Sequence, residues 1–202
     1  MECIFPNLYR FTDFWSKGRR YGYLVVRREG NLLLHGFVSS LYSHFEDIDK
    51  LGGVDLQFIT HYHDLNPEFH EKAYDRFGCK LCYHKAAGAK VRERTNCPSN
   101  EFGNHGLQLG SDFEVVYFPG HTRGHSVHRW CHQRKEFLFS GHVMKLVDGN
   151  WELFFNPTVA PIDADFDDFI ETDFLLPTSS YFGEEEYHTF IEQTRAVGQV
   201  IS

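Results

Sequence analysis

The 202-residue sequence contains no apolar run that approaches the roughly 20 residues of a membrane-spanning helix, so no such helix is expected. Its first stretch, MECIFPNLYRF, lacks the basic start and apolar block of a secretory signal. The five cysteines are an odd number and lack the spacing of a disulfide framework. These absences together predict a cytoplasmic protein with reduced thiols.

Positive charge is also under-represented. Twenty Lys and Arg residues stand against 28 Asp and Glu residues, which gives a formal net charge of −8 at pH 7. A protein that binds the nucleic-acid backbone needs a basic face. Nucleic acid and membrane are therefore not expected partners of this chain.

Apolar residues make up 42% of the sequence and aromatic residues 16%, which excludes disorder over the whole chain. One domain over residues 1–202 is expected, because the length suits a single core and no linker divides the chain. Strand patterns alternate with helical patterns over residues 39–53, 67–78, 164–174 and 184–200. Residues 85–112 are polar and are predicted to form a loop. This order of elements predicts two sheets covered by helices.

Histidine is the most unusual component, and three short segments each place it directly after a predicted strand. These segments are THYHD with His61 and His63, PGHTRGH with His121, and FSGH with His142. Loops beyond strand ends are where binding sites are usually built. Two histidines at positions i and i+2 can reach one ion, and a third completes the three-histidine set of a catalytic zinc site. We therefore predict that His61, His63 and His121, here called the histidine triad, bind a metal ion beside His142.

Other residues near these segments receive separate predictions. Asp64 is the best candidate for a general base, and either it or His142 could also reach the ion. His125 is predicted to make a hydrogen bond behind the ligands rather than to bind the ion. His70 is predicted to lie on the surface of the helix over 67–78, and His128 to face solvent or the wall of a cleft.

The same segments resemble proteins of the metallo-β-lactamase fold. GYLVVRREGNLLLHG, FITHYHD, YFPGHTRGHSVHRW, EFLFSGHVM and DFLLPTS follow one another in that family's order over most of the chain. The resemblance implies an α+β fold, a four-layer αββα sandwich, with metal ions in a cleft at one edge of the two sheets. It also implies hydrolysis of thioesters, lactams, lactones or phosphodiesters, although one branch of the family oxidises glutathione persulfide with iron.

The resemblance implies one metal ion rather than the family's usual two. The histidine triad falls on the ligands of the first metal site. The aspartate and histidine that follow in the family's first motif fall on Leu65 and Asn66. The bridging aspartate of the family is His142 here, and the histidine of the last motif is missing from the segment 177–180.

Three functions are compatible with these residues. The first is a hydrolase in which one ion, zinc or iron, activates water to attack a small-molecule substrate. The second, implied by the persulfide-oxidising branch, is an iron oxygenase with His61, His121 and His142 as ligands. The third is a protein that retains the fold for binding alone. Zinc in the purified protein favours the first, iron the second, and absence of metal the third.

Overall fold

The computed structural model describes residues 1–34, 38–147, 150–153, 156, 159 and 172–181. Its larger sheet has eight strands. Seven of them are neighbours in chain order: β1 (Glu2–Phe5), β2 (Leu8–Trp15), β3 (Gly18–Val25), β4 (Leu32–Leu34), β5 (Leu56–Phe58), β6 (Lys80–His84) and β7 (Ser99–Phe102). Strands β1 to β4 pair antiparallel, whereas β4 to β7 pair parallel.

The second sheet has five strands and receives its last strand from far along the chain. It contains β8 (Leu107–Leu109), β9 (Phe113–Tyr117), β10 (Ser126–His132), β11 (Lys135–Gly141) and β14 (Phe174–Pro177), with β14 beside β11. Strands β12 (Met144–Val147) and β13 (Asn150–Leu153) form a separate ribbon. After β14 the chain crosses to the first sheet, where β15 (Ser179–Tyr181) pairs with β3.

The described part of the chain has three α-helices among these strands: α1 (Phe45–Lys50), α2 (Pro67–Phe77) and α3 (Gly88–Arg92). Helix α2 has clear sequence signals at both ends. Asn66 caps its start by accepting a hydrogen bond from the Phe69 amide, and Gly78 ends it with a left-handed φ of 71°. No helix in the described ranges is long and apolar enough to cross a membrane.

The main core lies between the two sheets and contains side chains from both: Leu8, Tyr21, Tyr23, Val25, Leu32, Leu34, Phe58, Cys82, Phe102, Phe113, Val115, Trp130, Phe137, Phe139, Phe174 and Leu176. The opposite face of the first sheet packs against α1 and α2 through residues such as Leu24, Leu33, Ile48 and Phe69. Strands β3 and β4 are thus apolar on both faces because both faces are covered. The fold is an α+β sandwich, as predicted.

The last two of the predicted helices fall largely outside the described residues. The pattern over 184–200 lies outside the described residues, as does most of the pattern over 164–174. The last residues of that second pattern are not helical, since Phe174 begins β14.

Two parts of the secondary-structure prediction were wrong or incomplete. Residues 85–112 are not one loop, because they contain α3, β7 and β8. Strands β7 and β8 lie at sheet edges and pair on one side only, so polar side chains are tolerated there, and three of the four residues of β7 are exposed. The first two strands of the chain were also not predicted, although β2 pairs with β3 over its full length.

A partly buried ion pair joins the two sheets at the end where β9 begins. The Arg27 guanidinium donates to both carboxylate oxygens of Asp112 and to the Leu109 carbonyl. The Trp130 indole donates to the same carboxylate at 3.2 Å. Burial favours the neutral acid, but the hydrogen bonds from Arg27 and Trp130 outweigh it and hold the pKa of Asp112 below its usual value.

The prediction that His70 lies on a helix surface was wrong, because His70 is fully buried. Its Nδ1 donates to the Gln57 side-chain oxygen at 2.7 Å. The Gln57 amide nitrogen in turn donates to the main-chain carbonyls of His70 and Cys79. The buried side-chain amide of Gln57 on β5 therefore provides the partner that allows His70 of α2 to be buried. The helical pattern of the sequence does not indicate this partner.

His70→Asn should reduce the loss of stability in acid. Burial lowers the pKa of His70 from 6.5 to about 3, with the charge of Asp64 opposing, so below pH 6.5 the unfolded chain binds a proton that the folded chain does not. This penalty is absent above pH 6.5 and grows as the pH falls toward 3. Asparagine retains an N–H for Gln57 but does not titrate.

The free energy of unfolding of the wild type should therefore fall more steeply below pH 6.5 than that of the variant, by up to about 1.4 kcal/mol per pH unit. Urea unfolding over a pH series, with a chelator present, measures both slopes. Parallel slopes would contradict a buried neutral His70.

Candidate metal centre

Three strand ends bring the predicted histidines into one cluster. His61 and His63 follow β5, His121 follows β9, and His142 follows β11. The ring centroid of His61 lies 5.0 Å from that of His63, 4.6 Å from that of His121 and 4.8 Å from that of His142. The four imidazoles lie between positions 61 and 142 of the sequence, yet they meet at one edge of the sandwich.

The spacing of the nitrogen atoms suits one ion. A donor atom from each member of the histidine triad lies within 4.8 Å of the others. Zinc–nitrogen distances of about 2.0–2.1 Å in a tetrahedral site place two nitrogens about 3.3–3.4 Å apart. Nδ1 of His63 and Nε2 of His121 are 3.3 Å apart. Nε2 of His61 is buried and has no hydrogen-bond partner among the described residues, which is unusual unless a ligand engages it.

Asp64 and Thr60 orient His61 from the side opposite to this nitrogen. Nδ1 of His61 lies 3.1 Å from Oδ2 of Asp64 and 3.0 Å from the Thr60 hydroxyl, which itself donates to Asp64. Because the Thr60 hydroxyl gives its hydrogen to Asp64, Nδ1 of His61 donates to that hydroxyl, and the lone pair of the ring is left on Nε2. A carboxylate behind a histidine ligand fixes the tautomer and ring orientation in many metal sites.

The other oxygen of Asp64 faces His142. Oδ1 lies 3.8 Å from Nε2 of His142, and the carboxylate is almost fully buried. His61, Asp64 and His142 form a second group whose donor atoms lie within 4.8 Å of one another. The candidate general base is thus in contact with two of the four clustered histidines.

The cluster favours neutral imidazoles, the form that binds metal. Burial, together with the neighbouring imidazoles of the cluster, lowers the pKa of His121 to about 3. Burial and the neighbouring His61 lower the pKa of His63. Burial also holds the pKa of His125 well below 6.5. These three side chains are therefore neutral at pH 7.

His125 lies behind the cluster, in a position that suits its predicted supporting role. Its Nδ1 donates to the Phe118 carbonyl at 3.2 Å, just before the segment that carries His121. His128 does not face solvent or a cleft wall, and that prediction was wrong. Its fully buried ring lies 5.4 Å from that of Phe58, between the two sheets, on the face of β10 that also buries Trp130.

The positions that the resemblance aligns with the second metal site have structural roles. Leu65 is fully buried in an apolar cluster that also contains Ile59 and Tyr83. Asn66 caps α2 through its side-chain oxygen. Ser179 lies in β15 and pairs with Arg20 of β3. None of these three side chains is placed to replace a lost aspartate or histidine.

Gly141 allows the two sheets to approach closely at the cluster. It has a left-handed φ of 61°, and a Cβ there would lie 2.6 Å from the Thr60 hydroxyl and 2.6 Å from Nε2 of His125. The main chain joins the sheets at the same place, where the Ser126 amide donates to the Thr60 carbonyl at 2.9 Å. The glycine of FSGH is therefore required both for its conformation and for its lack of a side chain.

No family model and no curated protein matches the sequence. Solved structures, in contrast, resemble the fold. The DIM-1 metallo-β-lactamase is 16% identical over 100% of this chain and 97% of its own, with a TM-score of 0.69. A metallo-β-lactamase from Pontibacter korlensis is 18% identical over 97% of this chain and 96% of its own, with a TM-score of 0.65. A B3 metallo-β-lactamase with an active-site glutamic acid is 16% identical over 98% of this chain and 88% of its own, with a TM-score of 0.62. The TM-scores show a shared fold, and at identities this low the likeness extends to the fold alone.

Gly141→Ala should damage the centre more than an alanine at a comparable glycine. The left-handed conformation alone costs a non-glycine residue about 1–2 kcal/mol. At Gly141 the methyl group would in addition displace Thr60 and His125, and with them the support of His61. Gly78→Ala is a matched control, because Gly78 has a φ of 71° but no atom within 4 Å of the added Cβ.

Both variants should therefore lose stability in urea, but only Gly141→Ala should also lose affinity for zinc. Zinc titration with a competing chelating dye makes the comparison. Equal zinc affinity in the two variants would contradict the close packing at Thr60.

Proposed function

We propose that this chain, which has the metallo-β-lactamase fold, is a hydrolase that binds one metal ion, zinc, at the histidine triad. The observation that carries the proposal is the convergence of three imidazoles from two sheets, with a buried unpaired Nε2 on His61. The proposed substrate is a small molecule with a carbonyl or phosphoryl centre. The five unpaired cysteines support a reducing, cytoplasmic location.

The members of the cluster have different proposed tasks. A bound zinc ion lowers the pKa of a coordinated water toward 7 and polarises a carbonyl or phosphoryl oxygen. The histidine triad holds this ion, and Asp64 keeps Nε2 of His61 directed at it. His142 is half-buried, with its side chain 33% exposed, so it is the part of the second group most accessible to a substrate. Its imidazole can donate a hydrogen bond to a substrate or accept one from it, while Asp64 lies 3.8 Å from its Nε2.

A single ion is proposed because the second site of the fold lacks ligands. Leu65 is enclosed by apolar side chains, and Asn66 is committed to the start of α2. The carboxylate of Asp64 is already engaged by His61 and Thr60. A second ion would therefore have to displace existing contacts of these residues.

A second candidate function is oxidation with iron. The group formed by His61, Asp64 and His142 offers two histidines and one carboxylate, which is the ligand set of many non-haem iron oxygenases. This set differs from the three-histidine iron site that the resemblance implies, because it replaces His121 with Asp64. Metal content separates this candidate from the zinc hydrolase.

The purified protein should contain no more than one equivalent of metal, and His121→Ala should abolish most of it. His105→Ala should leave metal content unchanged, because His105 is exposed and belongs to neither candidate ligand group. Elemental analysis by mass spectrometry measures both, with folding checked by circular dichroism. The zinc-loaded wild type, and not His121→Ala, should hydrolyse a member of a panel of lactams, lactones, thioesters and phosphodiesters. Two tightly held ions per chain would refute the mononuclear site, and equal metal in the two variants would refute the histidine triad.

Asp64→Asn separates a supporting role of Asp64 from a direct catalytic one. Asparagine keeps the shape and one acceptor oxygen but removes the negative charge beside Nδ1 of His61. Loss of such a partner typically weakens metal binding about 10- to 100-fold, so we expect a weaker zinc affinity with hydrolysis largely restored at saturating zinc. Unchanged affinity with a lost rate would instead favour the general-base role. Zinc titration and rates at saturating metal provide the two readouts.

A further inference from the structure

The turn that carries His63 and Asp64 has little support from its own main chain. It is a single 3-10 turn over Tyr62–Asp64, between the end of β5 and the start of α2. Two internal hydrogen bonds stabilise it, from the Asp64 amide to the His61 carbonyl at 3.1 Å and from the Leu65 amide to the Tyr62 carbonyl at 3.4 Å. Such short turns open easily unless other groups hold them.

Arg94, which follows α3, binds this turn from outside. Its Nη1 donates to the Tyr62 carbonyl at 2.9 Å and its Nη2 donates to the Leu65 carbonyl at 3.2 Å. These two carbonyls flank His63 and Asp64 in the sequence. Because the guanidinium is planar and rigid, two donors on one group fix the separation of the two carbonyls.

Neither the motif segments nor the resemblance draws attention to this arginine, which belongs to the polar region 85–112.

We propose that Arg94 is a positioning residue, which locks the turn over residues 62–65 so that His63 and Asp64 face the cluster before any ion binds. A site that is already in its binding conformation loses less ordering free energy when the ligand arrives. The consequence for metal affinity rests on the proposed function, whereas the locking of the turn does not.

Arg92 provides a matched control on the same segment. It is an exposed arginine two positions earlier, at the end of α3, and its ion pair is with Glu101 rather than with the turn. Arg92→Ala removes the same charge from the same surface and leaves the two carbonyl contacts of Arg94 in place. Arg94→Lys keeps the charge but cannot bridge two carbonyls in the same plane.

The first measurement is amide hydrogen exchange of the metal-free protein. Arg94→Ala should speed exchange at the Asp64 and Leu65 amides by about tenfold, since these amides are released when the turn opens. Arg92→Ala should exchange like the wild type, and millimolar methylguanidinium should slow exchange in Arg94→Ala alone. Unchanged exchange at Asp64 and Leu65 in Arg94→Ala would overturn the proposal.

The second measurement is zinc affinity by competition with a chelating dye. Arg94→Ala should bind zinc about 10- to 100-fold more weakly than the wild type and Arg92→Ala, with Arg94→Lys in between. Faster exchange without weaker zinc binding would overturn the positioning role. If the wild type itself binds no zinc, the proposed function fails, and the exchange data alone decide whether Arg94 locks the turn.

Discussion

The hydrogen bond from the Ser126 amide to the Thr60 carbonyl is the contact on which the candidate metal centre depends. It joins the end of β5 in one sheet to the start of β10 in the other. The same threonine donates its hydroxyl to Asp64 and lies beside Nδ1 of His61. Gly141 then packs against that hydroxyl without a side chain between them. One residue thereby sets the distance between the sheets and the orientation of His61, the only fully buried member of the four clustered histidines.

The sequence was most informative where a strand stops. The segments THYHD, PGHTRGH and FSGH each place histidine after an apolar strand, and the structure brings the ends of β5, β9 and β11 to one edge. Strands of a sandwich end at its edges. Histidines that follow several strands are therefore confined to these edges and can meet there.

Features that depend on partners distant in the chain could not be predicted. The burial of His70 depends on Gln57, and the burial of His128 depends on how Phe58 approaches from the other sheet. The contacts of Asp64 with His61 and Thr60 follow from a 3-10 turn whose geometry no periodic pattern encodes. Strand β7 escaped prediction because an edge strand needs only one apolar residue, Phe102, to pack on the core.

The crossing from β14 to β15 has a consequence for the order of events during synthesis. Tyr21 and Ser180 share a hydrogen bond of 2.7 Å across 159 positions, and the Thr178 carbonyl accepts from the Tyr21 amide. A nascent chain on the ribosome that ends before residue 172 has all four clustered histidines but leaves β11 and part of β3 with open edges. Open strand edges are sites of chaperone binding and aggregation. The sandwich can therefore complete its pairing at β11 and β3 only after translation has passed β15.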